Sequence, residues 1–148
     1  RGDLVTPLAG ALAAGVHRLL GWGMVETPLT IVPAPTRRCA ARRRGGDPVT
    51  RMARLAVPAA GGGAGITVVQ ALRMKALVRD SVGLGVSARE RNVAGRVRLR
   101  GRRPDKRVRH EVLVVDDVVT TGSTARESVR VLRAAGLRVA AVLVLAAA

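Results

Sequence analysis

Two stretches late in the chain, EVLVV at residues 111–115 and RVAAVLVLA at 138–146, are apolar at nearly every position. A strand with one wet face alternates between apolar and polar residues. A run without alternation is buried on both sides, which requires a sheet covered front and back. Residues 124–135 between them read as a helix, with Ala125, Val129 and Leu132 on a buried stripe and Arg126, Arg130 and Arg133 outside. This order predicts an α/β chain, a parallel sheet flanked by helices.

The remaining segments fit that plan. Residues 5–20 read as an Ala- and Leu-rich helix stopped by Gly21 and Gly23, and PLTIV as a short buried strand closed by Pro33 and Pro35. TRRCAARRRGGD is a basic loop. Pro48 then opens a second helix, PVTRMARLAV, with Asp47 as its expected cap. GGGAG is a flexible spacer and ITVVQALRM, residues 66–74, one strand. Residues 75–87 have mixed polarity and two glycines, which suits a mobile excursion. SARERN is a helical turn, GRVRLRG an exposed basic strand and RRPDKRVRH a solvated loop.

The length of 148 residues suits one domain, 1–148. The chain opens at Arg1 without Met, so it reads as a fragment trimmed at its N-terminal end. Trp22 is the only aromatic residue, so Val, Leu and Ala must fill the core, and modules that stack bases on aromatic platforms are disfavoured. The formal charge of +16, carried mostly by Arg, favours polyanionic partners, nucleic acid or phosphorylated metabolites. A GC-rich coding bias gives the same Arg surplus, so charge alone decides little. Cys39 is the only cysteine, which excludes an internal disulfide and a Cys-based zinc site and fits a reducing cytoplasm. No apolar run reaches the roughly 18 residues that span a bilayer, and no signal peptide is visible.

The first of the two apolar runs breaks into adjacent carboxylates, Asp116 and Asp117, followed by VVTTGST. Ligands of parallel sheets sit beyond the carboxyl ends of the strands. Neighbouring carboxylates there repel each other and resist desolvation unless a cation or hydroxyls meet them. Gly122 permits a turn that other residues resist, and Thr124 with Glu127 matches a capping box for the helix. Free N–H groups at that helix mouth favour a phosphate. Hydroxyl acceptors beside phosphate donors describe a sugar phosphate, here a phosphorylated ribose. A capped helix beside two solvated carboxylates is the plain structural alternative. A receiver domain needs more chain after its acids than follows Asp117, and a Walker B strand needs an upstream phosphate loop with Lys, which GGGAGITVV lacks.

The run Val112–Thr124 closely resembles the signature of type I phosphoribosyltransferases, which bind 5-phosphoribosyl 1-pyrophosphate (PRPP). That resemblance implies that Asp116 and Asp117 hold the ribose hydroxyls, as catalytic residues, and that Thr120, Thr121, Gly122, Ser123 and Thr124 bind the 5-phosphate. It implies Mg²⁺ with PRPP as cofactor, with no Cys or His metal ligands, and PRPP or a nucleotide monophosphate as ligand. VPAPTRRCAARRRGGDPVTRMAR and RDSVGLGVSARERNVAG resemble blocks of the ComF/GntX branch, the latter ending at Arg91 and Asn92. Two departures stand out: RGGDP replaces the RGFNQ of many relatives, as in high-GC actinobacterial members, and their four-cysteine zinc motif is missing.

By position in that family, the pyrophosphate loop falls on Arg37, Arg38, Arg42, Arg43 and Arg44, with Gly45 and Gly46 admitting the ligand. A flexible loop over the site would use Lys75, Arg79, Asp80 and Ser81. His17 and His110 read as structural or surface residues, and no base beside Cys39 would make it a nucleophile. Two functions follow from the resemblance. One is Mg-dependent transfer of phosphoribosyl to or from a nitrogenous base. The other is a non-catalytic accessory role in competence, binding single-stranded DNA or a partner protein.

Overall fold

The computed structural model describes residues 4–35, 47–60, 65–75, 95–101 and 110–148. In chain order these hold α1 (Val5–Gly21), β1 (Leu29–Pro33), α2 (Pro48–Ala59), β2 (Ile66–Val68), β3 (Leu72–Met74), β4 (Val97–Leu99), β5 (Glu111–Val119), α3 (Ser123–Ala134) and β6 (Arg138–Ala147). Four strands form a parallel sheet in the order β2-β1-β5-β6, and β3 pairs antiparallel with β4 in a separate ribbon.

The central strand β5 shows why its sequence lacks alternation. Leu113 and Val115 face a core built with Leu12, Val16 and Leu19 of α1 and Met52 and Ala56 of α2. Val112 and Val114 face the opposite core, against Val131 and Leu132 of α3 and Leu72, Met74 and Val97 of the ribbon. All four are buried, and each such side chain contributes about 1.5–3 kcal/mol of hydrophobic stabilisation. The α1 residues recur at helical spacing, Ala9, Leu12, Ala13, Val16 and Leu19, which gives that helix one apolar stripe. Both cores are aliphatic, as the lack of aromatics requires, and Trp22 lies 70% exposed outside them. At the foot of the sheet, the Glu111 carboxylate accepts the Glu26 N–H at 2.7 Å and pairs with Arg138 at 3.1 Å.

Four local expectations are corrected. The run 66–74 is two strands, because the chain leaves the sheet at Val69–Ala71. Val69 N–H makes a last bond to the Ile31 carbonyl at 3.0 Å, and Ala71 N–H then turns back to the Val69 carbonyl at 2.8 Å. Leu72 thereby becomes free to pair with Leu99. The 95–101 segment is not simply an exposed strand, since Val97 is fully buried beneath the ribbon. Asp47 occupies the N-cap of α2 without a side-chain cap bond; its carboxylate accepts the Thr50 hydroxyl at 2.7 Å. Finally, β5 does not stop at Val115. It runs on through the two acids to Val119, because β6 is long enough to pair with it, Val118 opposite Ala146 and Val119 opposite Ala147.

Candidate functional site

The apolar part of β5 is held between β1 and β6, so its carboxyl end projects from the sheet's interior. The two-residue period of a strand places Asp116 on the α3 side with Val112 and Val114, and Asp117 on the α1–α2 side with Leu113 and Val115. Both acids are half-buried. The Asp117 N–H donates to Asp116 Oδ1 at 3.0 Å, and the Val118 N–H to Asp117 Oδ1 at 2.8 Å.

Beyond Val119 the chain turns through Thr120, Thr121 and Gly122 into α3. Gly122 is the N-cap, with φ of 72° in the left-handed region, where any other residue is strained. Gly122 itself has no side chain to cap with, and Thr121 Oγ1 accepts the Ser123 N–H at 3.4 Å. The expected Thr124–Glu127 capping box is absent, because Glu127 is drawn to tertiary partners instead. Its carboxylate accepts the Gly95 N–H at 2.7 Å and two bonds from Arg130 at 2.7 and 2.8 Å. The amides of Thr124 and Ala125 have no partner among the described residues, at the positive end of the helix. Around the turn, Thr121 donates its hydroxyl to Ser123 Oγ at 3.0 Å, and Arg126 Nη2 donates to the Thr121 carbonyl at 2.9 Å.

A notch of about 40 Å³ opens here, lined by Asp116 and Val118, by Thr120 to Thr124, and by Ala125. Asp116 is the acid on its wall; Asp117, on the other side of the strand, does not line it. The Asp116 carboxyl is pushed up to about 6, chiefly by burial and further by the negative charges of Asp117 and Asp47, against the lowering effect of the Asp117 N–H. The site can therefore accept hydroxyl hydrogens at Asp116 and bind an oxyanion at the amides of α3.

Among the described residues no group of three or more His, Cys, Asp or Glu could by itself hold a metal ion. The donor set nonetheless suits Mg²⁺, which keeps several waters and needs only one or two carboxylates beside substrate oxygens. Asp116, the acid on the notch wall, is the residue that would hold it.

Of the other expected site residues, Lys75 is exposed just after β3, its N–H bonded to the Arg96 carbonyl at 2.9 Å. Arg37, Arg38, Arg42, Arg43, Arg44, Gly45 and Gly46, and Arg79, Asp80 and Ser81, lie outside the described residues, as does Cys39. His17 is exposed on α1, and His110 is half-buried at the foot of β5, the end of the sheet away from the notch. Two features escaped the sequence reading. One is the Asp47–Thr50–Gln70 network, in which Gln70 Nε2 donates to Thr50 Oγ1 at 2.7 Å. The other is the Gly95–Glu127 clasp. Only the acidic charge of Asp47 ahead of Pro48 hinted at the first.

No family model matches the chain, and no curated protein matches it. Solved structures do. A hypoxanthine phosphoribosyltransferase of Trypanosoma cruzi superposes with a TM-score of 0.52 at 14% identity, over 96% of this chain and 63% of that one. A hypoxanthine-guanine phosphoribosyltransferase of L. donovani gives 0.49 at 16% identity, covering 96% and 66%. A hypoxanthine phosphoribosyltransferase of Staphylococcus aureus gives 0.49 at 13%, covering 96% and 61%. This chain thus spans less than two thirds of the length of these proteins. No helix among the described residues is long and apolar enough to cross a membrane. The parallel sheet flanked by helices, superposed on the T. cruzi enzyme, gives this chain the phosphoribosyltransferase fold.

Proposed function

We propose that the chain binds PRPP and, with Mg²⁺, transfers its phosphoribosyl group to or from a nitrogenous base. The observation that carries this is the notch: two amides without a partner among the described residues, at the mouth of α3, stand beside a half-buried carboxylate at the carboxyl end of β5. In this reading the amides of Thr124 and Ala125, with the hydroxyls of Thr120, Thr121 and Ser123, hold the 5-phosphate. Asp116 accepts a ribose hydroxyl, and Asp117 approaches the sugar from the other side of the strand. Above a pH of about 6 Asp116 is charged and fit for that role. Mg²⁺ bound with PRPP would supply positive charge against the departing pyrophosphate. Charge develops on the ribose as the C1–O bond breaks ahead of nucleophile attachment, so positioning and charge stabilisation supply most of the rate, and the motif itself requires no general base. Arg37, Arg38, Arg43 and Arg44 with Gly45 are proposed for the pyrophosphate, and Lys75, Arg79, Asp80 and Ser81 for a closing loop.

Isothermal titration of the folded protein with PRPP and Mg²⁺ tests the reading. The expected outcome is saturable heat that is lost in Asp116→Ala and weakened in Asp117→Ala, with both variants still folded by circular dichroism. No heat with the folded wild type sinks it. The ComF-type assignment within this fold is part of the proposal, carried by the sequence blocks at 32–54 and 79–95. A second reading, a non-catalytic competence role on single-stranded DNA, is favoured by the charge of +16. It requires DNA affinity that falls steeply with salt, and salt-insensitive or absent binding removes it.

A further inference from the structure

On the β3–β4 ribbon Arg73 stands directly opposite Arg98. Like charges in register weaken an antiparallel pair, so this arrangement calls for an anion. Neither guanidinium has a hydrogen bond or ion pair among the described residues, although the charge of Arg98 reaches Glu127. Across from them on α3 is a third, Arg130, whose side chain is 58% exposed even while it clasps Glu127. Glu127 is itself covered and is the only acid in the group. Three guanidiniums against one carboxylate leave two positive charges in excess.

These side chains border a cleft of about 340 Å³ between the ribbon and α3, floored by Leu99, Val131, Ala134 and Ala135. That size lies at the lower end of the range for small-ligand pockets. It is also distinct from the notch: no residue lines both, and the nearest lining residues on α3, Ala125 and Arg130, are five residues or about 7.5 Å apart along the helix. Bare phosphate would use the guanidiniums and leave the aliphatic floor wet. A ligand with both a diphosphate and a flat, weakly polar ring system satisfies both halves. Arginine forks match phosphate oxygens in pairs, and a ring can lie on Val131 and Leu99 with a guanidinium plane over it.

We propose that this cleft is a second ligand site, which takes a nucleoside diphosphate with its phosphates on Arg73, Arg98 and Arg130 and its base on the α3 floor. The site is independent of the PRPP reading. Clasped to α3 through Gly95 and Glu127, the ribbon places the ligand on the same helix whose first turn forms the notch.

The test is titration of the folded protein with ADP, inorganic pyrophosphate and adenosine, using wild type, the Arg73→Glu/Arg98→Glu double variant and Ala134→Glu. All three positions are exposed or half-exposed, so the variants keep the fold; thermal melts confirm it. The expected result is ADP binding weakened at least tenfold in both variants. Pyrophosphate and adenosine should each bind wild type at least tenfold more weakly than ADP. The proposal is overturned if ADP does not bind, if its affinity survives the double variant, or if pyrophosphate matches it. PRPP titrated against the same proteins separates the two sites: loss of PRPP binding in wild type with ADP binding intact sinks only the transferase reading, and the reverse sinks only this one.

Discussion

The carboxylate on the notch wall makes the folded protein less stable, and replacing it should show this. Burial is the main force that raises Asp116 from its ordinary value of 3.8 to about 6. A shift of about two units corresponds to roughly 3 kcal/mol. Because the group is only half-buried, solvent screening reduces this to about 1.5 kcal/mol. The sign follows from proton binding. Between about pH 4 and pH 6 the native state keeps the Asp116 proton while the unfolded chain has released it, so stability falls as pH rises through this window. The cost is complete above about pH 6 and absent below about pH 4. Asp116→Asn removes the charge and keeps an oxygen to accept the Asp117 N–H. The variant should therefore melt about 3–6 °C higher than wild type near pH 7.5, while the two melt together near pH 4. Differential scanning calorimetry at both pH values decides the matter. A lower melting temperature for the variant at the higher pH, or an equal gain at both, refutes the argument that burial of this acid opposes folding. The same variant should lose PRPP binding, the pattern of a residue kept for function at the expense of stability.

Two further outcomes follow from the turn and the clasp. Gly122→Ala should lower stability by about 1–2 kcal/mol in urea denaturation, through its left-handed backbone and not through crowding, since an added Cβ would meet nothing closer than 3.7 Å. It should also weaken PRPP binding, as the amides of the notch shift. Glu127→Ala should cost about 1–2 kcal/mol by removing the carboxylate that holds the Gly95 N–H, and hydrogen exchange at the Gly95 amide should quicken. Hydrogen bonding from Arg130 lowers the Glu127 carboxyl below its usual range. Its contribution should then be present in wild type at neutral pH and fade as the pH falls below its ordinary value of 4.5, a fade that the Ala variant lacks.

Much of the site was legible in the chain itself, because its signal is local. Apolar residues up to Val115, two acids, a glycine where the backbone must turn left-handed and a helix with charges on one face are all set within residues 112–132. The two helices before it and the strand β1 are legible for the same reason, through helical spacing, Gly and Pro. What the chain did not show is what distant residues decide. Nothing in ITVVQALRM marks the break at residues 69–71; it follows from β1 ending the ladder on one side and from Val97 and Leu99 offering a different partner on the other. Glu127 matches a local capping pattern three residues from Thr124, yet a backbone amide 32 residues away takes its carboxylate. The extension of β5 through both acids belongs to β6, which pairs beside it to Ala147. That extension sets Asp116 and Asp117 on opposite sides of the strand. The sequence alone therefore determined that an acid of the pair and the turn Thr120–Thr124 lie together at the notch, since they are neighbours in the chain. Only the tertiary structure decided which acid lines it and how strongly that acid holds its proton, since burial and strand pairing depend on residues far away in the chain.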